Sequence, residues 1–217
     1  MNHNKLLRFA SQFLSLAESE LEKLPKDSKN TKTILKNIEK LKTYQARKKY
    51  AERNLKHLSS GSSRIVYLTP NKTVIKLAKN DKGIAQNKAE SNEKLNESKY
   101  VNTVLNYAKD YSWLETSFLK KIKAKQFKKL TSIDFDDFGE SIRYGLKSVS
   151  GSKREKPDNF DEVSETEFYK DIKELGERFK LMPGDLAKES SWGIKDNQLK
   201  LIDTGLTKKV YEDFYES

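Results

Sequence analysis

Two aspartates, a lysine and a glutamate stand where their side chains could act together on a phosphoryl group. Asp203 follows the strand-like run Leu199-Lys200-Leu201-Ile202 and precedes Thr204-Gly205. A carboxylate delivered at a strand end, with a glycine beyond it to turn the chain, is well placed for Mg²⁺. Asp185 comes eighteen residues earlier, after Pro183-Gly184, and could orient a nucleophilic hydroxyl on the other side of the transferred group. Lys76 lies in Thr73-Val74-Ile75-Lys76-Leu77, whose alternation puts its ammonium on one strand face with Val74. There it offers a compact charge to nucleotide phosphates. Such a lysine needs an orienting carboxylate, and the next segment supplies Glu90 and Glu93, three residues apart. Glu90 is the better placed to face inward. Ser60, Gly61, Ser62 and Ser63 form a small-residue turn whose amides and hydroxyls suit phosphate oxygens. Each feature also has a plainer reading as a hairpin turn, a charged helix face or a capping aspartate. No GxxxxGK[ST] sequence occurs, so this is not a P-loop site.

The elements that must position these residues can be read from periodicity. Leu6, Phe9, Phe13 and Leu16 predict an amphipathic helix over 5–24, ended by Pro25. Ile34, Leu35, Ile38 and Leu41 predict a second helix over 32–56. A turn at 59–63 leads into the strand Ile65-Val66-Tyr67-Leu68, and Pro70-Asn71-Lys72 turns into a second strand, 73–77, making an antiparallel hairpin. A polar helix is expected over 84–98, a strand or helix end at 101–105, and a third strand at 113–119. Residues 124–150 read as helices with loops, and 150–164 as a mobile surface loop. Ser164 with Glu167 looks like a capping box for a helix buried through Phe168, Ile172, Leu175 and Phe179. Two strands, 192–195 and 199–202, flank a turn at Asp196-Asn197-Gln198, and a last helix uses Val210, Tyr211 and Phe214.

Composition narrows the chemistry. The 217 residues contain no Cys and two His, which excludes disulfides, thiol nucleophiles and Cys- or His-rich metal centres. The first 25 residues hold no uninterrupted apolar stretch, so neither a signal peptide nor a membrane span is expected, and the default location is the cytoplasm. A net charge of +11 favours an anionic partner or simply keeps the surface solvated.

The loop 60–67, Val74-Ile75-Lys76-Leu77, the segment with Glu90, Gly184-Asp185-Leu186 and Leu201-Ile202-Asp203-Thr204-Gly205 together resemble the protein-kinase-like superfamily. The likeness is to its aminoglycoside-phosphotransferase type and to small kinase-like proteins encoded by bacteriophages, and it covers about 70 residues. It implies an α+β, reduced bilobal kinase-like fold: an N-terminal helical segment (1–56), a sheet-containing nucleotide-binding lobe (57–119) and a mainly helical catalytic lobe (120–217). Residues 113–119 would approach the connection between the lobes. The resemblance also implies ATP and Mg²⁺ as cofactors, with Gly61 and its neighbours over the phosphates. Lys76 would pair with Glu90, Asp185 would be the catalytic aspartate and Asp203 a metal ligand. The family's second metal-binding position, usually Asn, is Ser190 here; Pro183 replaces a common His, and the loop keeps one glycine.

Three functions follow from this reading. One is an ATP-dependent phosphotransferase acting on a protein or small-molecule hydroxyl, and Ser190 motivates the second, a nucleotide-binding or inactive pseudokinase. The third is weak nucleic-acid binding through Lys120, Lys121, Lys123, Lys125, Lys128 and Lys129, with Arg47, Lys48, Lys49, Arg53 and Lys56 as another basic stretch. In that case Phe127 could stack on a base if exposed, or belong to the core.

Overall fold

A computed structural model describes Leu24 and residues 30–216; the helix expected over 5–24 lies outside these residues, Leu24 excepted. The described chain combines helices with antiparallel β-structure, an α+β composition, and it clusters into two compact units.

The first unit comprises the described residues up to Ile84 together with Asn106–Thr116. Where one helix was expected over 32–56, there are two, α1 (Thr31–Lys40) and α2 (Tyr44–Asn54). Leu41 is extended at the break and buries itself, and Thr43 Oγ1 then accepts the Ala46 N–H at 3.2 Å, capping the new helix. The sheet orders its strands β1 (Lys56–Ser60), β2 (Arg64–Leu68), β3 (Thr73–Ala78), β5 (Trp113–Ser117) and β4 (Val104–Tyr107). The expected hairpin is β2–β3, antiparallel with Val66 opposite Lys76. Ile65, Tyr67, Ile75 and Leu77 point to a core shared with Ile34, Ile38, Tyr50 and Trp113. The first strand was not expected. All five of its residues are exposed, so no apolar alternation marks it, and it narrows the turn to 61–63.

The chain passes into the second unit within α3 (Asp81–Glu90). The expected helix 84–98 is broken here: Asn92 Oδ1 accepts the Leu95 N–H at 3.2 Å and starts the short α4 (Glu93–Asn96). A three-stranded antiparallel sheet runs β6 (Lys120–Lys121), β7 (Trp192–Lys195), β8 (Gln198–Leu201). Its β7–β8 hairpin turns on Asp196 and Asn197 at φ of 51° and 59°, the left-handed pair that a two-residue turn requires. Around this sheet lie α5 (Ala124–Thr131), α6 (Phe135–Gly145), α7 (Lys147–Ser150), α8 (Phe160–Glu165), α9 (Glu167–Phe179), α10 (Pro183–Leu186) and α11 (Lys208–Tyr215).

Four rings, Phe127, Phe138, Phe168 and Trp192, are all mutual neighbours, with centroids 5.2 to 6.1 Å apart. Phe127 is therefore core, fully buried, and cannot serve as a base-stacking platform. Of the segment expected as a surface loop, 150–164, residues 151–159 carry no helix or strand, but its end enters α8, anchored by Phe160 against Tyr144 and Tyr169 at 4.7 and 5.9 Å. Ser164 lies inside that helix. Thr166, not Ser164, caps α9, accepting the Tyr169 N–H at 3.3 Å. Among the described residues no helix is long and apolar enough to cross a membrane.

Candidate functional site

Charge burial separates a few side chains from the rest. Among the described Lys, Arg, Asp and Glu residues, the buried ones are Arg64, Lys76, Glu90 and Glu115. Glu115 has a structural explanation: it accepts from Thr73 Oγ1, which in turn meets Thr69 Oγ1 at 2.7 Å. Lys76 is 3% exposed in the middle of β3, where alternation turns it away from the core shared by Ile75 and Leu77. Glu90 is 2% exposed at the end of α3, following buried Gln86 and Asn87 one turn earlier. Glu93 opens α4 and is exposed.

In the first unit the loop after β1 is held from the segment that follows β3. The Lys79 ammonium donates to Ser60 Oγ and to the Gly61 carbonyl, both at 2.6 Å. Asn80 Nδ2 donates to the Ser62 carbonyl at 3.3 Å, and the Lys79 backbone N–H to the Ser63 carbonyl at 2.8 Å. Gly61 N–H closes the turn on the Arg64 carbonyl at 2.9 Å. Ser60, Gly61 and Ser62 are exposed. Four hydrogen bonds thus tie the loop to Lys79 and Asn80.

In the second unit, backbone pairing joins the segments that carry the two aspartates. Leu181 bridges Thr207, Met182 N–H donates to the Leu206 carbonyl at 3.0 Å, and Ile202 N–H donates to the Ser191 carbonyl at 2.7 Å. Those bonds bring the segment carrying Asp185, the 3₁₀ turn Glu189–Ser191 and the segment carrying Asp203 alongside one another. Asp185 lies within α10, where no helix was expected; its carboxylate is three-quarters covered and takes an ion pair from Lys188. Asp203 is half-buried, and its Oδ1 accepts the Gly205 N–H at 3.0 Å. Gly205 presses against α3. A Cβ there would lie 2.8 Å from the Gln86 carbonyl, so only glycine brings this loop so close to the helix that ends at Glu90. Ser190 is exposed, whereas Ser191 is buried.

No group of three or more His, Asp or Glu that could hold a metal ion occurs among the described residues. Mg²⁺ is commonly held by one or two carboxylates plus substrate phosphates, so a single pinned carboxylate such as Asp203 suits a metal that arrives with a nucleotide. Lys79, Asn80, Lys188 and Ser191 were not singled out from sequence. Lys79 and Asn80 stand at a strand–helix junction and carried no pattern of their own. Lys188, spaced three residues from Asp185 as helical ion pairs are, was the one legible signal. No protein-family model matches the chain, and no curated protein matches it.

Proposed function

We propose that this chain is an ATP-dependent phosphotransferase acting on a hydroxyl of a protein or small molecule, and that its two units are the lobes of a reduced kinase-like fold. The observation that carries this reading is the burial of Lys76 and Glu90. Taking an ammonium or carboxylate out of water costs several kcal/mol in effect, and apolar residues of similar volume often stabilise a core better. Retention of both charges on elements flanking a serine-glycine loop therefore supports a role with phosphate. In this reading Lys76 neutralises phosphate charge, with Glu90 as the carboxylate that orients it. The loop 60–63 receives phosphate oxygens, and Asp185 positions or deprotonates the acceptor hydroxyl. Asp203 would hold Mg²⁺, with Ser190 as the neighbouring hydroxyl; when bound, the metal supplies positive charge that offsets charge developing on the phosphates. The test is calorimetric titration of ATP with and without Mg²⁺, on wild type and Lys76→Ala. Micromolar, Mg²⁺-dependent binding that weakens at least tenfold in the variant is expected; absence of binding by the wild type rejects the reading. Binding without transfer to any acceptor, under Mg²⁺ or Mn²⁺, would instead identify a pseudokinase.

A second reading rests on a different surface. Lys120, Lys121, Lys123, Lys125 and Lys129 are all exposed and lack ion pairs among the described residues, whereas Lys128 is neutralised by Asp134 at 2.7 Å. Five unpaired ammonium groups in ten residues attract a polyanion, and with Phe127 buried nothing there stacks on bases, so binding would be weak and indifferent to sequence. If all five meet phosphates of a duplex, affinity should fall roughly 500-fold between 50 and 200 mM salt. Gel-shift titration of duplex and single strand checks this against Gln substitutions at Lys120, Lys121, Lys123 and Lys125. Salt-insensitive binding, or no loss in the substituted protein, removes this surface as the binding site.

A further inference from the structure

The loop 60–64 is clasped by residues that play no part in the roles assigned so far. Lys79 holds two of its oxygens and Asn80 a third, while Gly83 lets α3 start against the loop: a Cβ on Gly83 would stand 2.2 Å from the Ser63 carbonyl oxygen and 3.1 Å from Ala78. The Lys79 ammonium has only neutral partners, a hydroxyl and a carbonyl, and no carboxylate among the described residues. An ammonium carries three donors, so with two in use one remains for an anion. A positive charge fixed by neutral oxygens at the rim of an exposed Ser-Gly-Ser turn is preorganised for an oxyanion, because its position is already set before the ligand arrives.

We propose that Lys79 is a second phosphate-binding cation, distinct from Lys76, which contacts the outer phosphates of a nucleoside triphosphate at the loop 60–64. This rests on the phosphotransferase reading and adds a residue to its site. Lys79 keeps its bond to Ser60 Oγ and donates to a phosphate oxygen as well, so its contribution grows with the number of phosphates. Gly83 sets the distance between the loop and α3 and hence the height of the ammonium over the loop.

The experiment is calorimetric binding of ATP, ADP, AMP and adenosine, and of inorganic tripolyphosphate, to wild type, Lys79→Met, Lys79→Arg and Gly83→Ala. Thermal melts verify that each variant is folded. A charge-assisted hydrogen bond is worth about 1.5–3 kcal/mol, so Lys79→Met should weaken ATP about 10- to 100-fold. AMP and adenosine should change less than about twofold, since Lys79 is assigned to the outer phosphates. Lys79→Arg should recover much of the loss, and Gly83→Ala should weaken ATP while sparing adenosine. Tripolyphosphate separates the phosphate source: parallel loss for it and for ATP locates the effect on the phosphate chain itself. If wild type binds ATP and Lys79→Met binds the whole series equally well, the assignment of Lys79 is wrong and the phosphotransferase reading stands. If wild type shows no preference for added phosphates, both fall.

Discussion

On the proposed phosphotransferase reading, an Asp203→Ala protein is expected to keep its fold and to lose transfer of the terminal phosphate by roughly a thousandfold or more, the scale seen when a preorganised electrostatic contact is removed from an active site. Two features make Asp203 the most sensitive position. Its Oδ1 is tied to the Gly205 N–H, which fixes the carboxylate in one orientation, and Gly205 is itself jammed against the Gln86 carbonyl, which fixes the loop. A group so constrained has little reorganisation left to undergo when ligand binds. Losing the turn bond costs about 1 kcal/mol of stability, too little to unfold a core of this size. Asp203→Asn separates the two roles, since an amide oxygen can still accept from Gly205 but brings no charge. Both variants should melt within a few degrees of wild type while transferring almost no phosphate from labelled ATP. Undiminished transfer by pure Asp203→Ala would sink the assigned chemistry.

The second large effect is on stability. Trp192→Ala should destabilise the second unit by about 3–5 kcal/mol, the usual range for removing a fully buried aromatic. Trp192 is 0% exposed, touches three other rings, and donates its indole N–H to the Leu186 carbonyl at 2.7 Å. Trp192→Phe isolates the last contribution: most of the ring packing survives, but the Leu186 carbonyl is left without that donor, at a cost of about 1–3 kcal/mol. Because Leu186 follows Asp185 directly, the Phe variant should, on the proposed phosphotransferase reading, also loosen the aspartate and lower transfer more than its stability loss alone explains. Urea unfolding of both variants checks the order. A Trp192→Ala midpoint equal to that of wild type would show that the ring cluster does not hold this unit together.

Much of this architecture was legible because its signals are short-range. Alternating apolar residues at 65–68 and 73–77 gave β2 and β3, the Asp196-Asn197 pair gave the second hairpin, and Phe168, Ile172 and Leu175 gave α9. The failures have physical causes. A polar edge strand exposed on all five residues has no pattern to read, so β1 falls between the helix expected to 56 and the turn expected at 59–63. Breaks at Leu41-Lys42-Thr43 and Ser91-Asn92 depend on caps, Thr43 and Asn92, that look like ordinary polar residues until the backbone bends. Phe127 could be either surface or core because its helix is lysine-rich, and only the four rings packed around it decide. In the candidate site, Lys76, Glu90, Asp185 and Asp203 could be picked out by residue type and spacing. Lys79 could not, since its meaning lies in contacts 18 and 19 residues back along the chain.

The strand order β1-β2-β3-β5-β4 has a consequence for how the protein is made. The neighbour of β3 is not the next strand in sequence but Trp113–Ser117, so the ribosome must add residues 79–117 before the sheet can be completed. Until then β3 is an open edge carrying Val74, Ile75 and Leu77, a ready template for strands of other chains. Closing so long an intervening loop costs entropy that only the later contacts return, so the step is slow relative to hairpin formation. A nascent chain stalled before Trp113 is thus the form most exposed to aggregation, and the interval in which a chaperone has the most to shield.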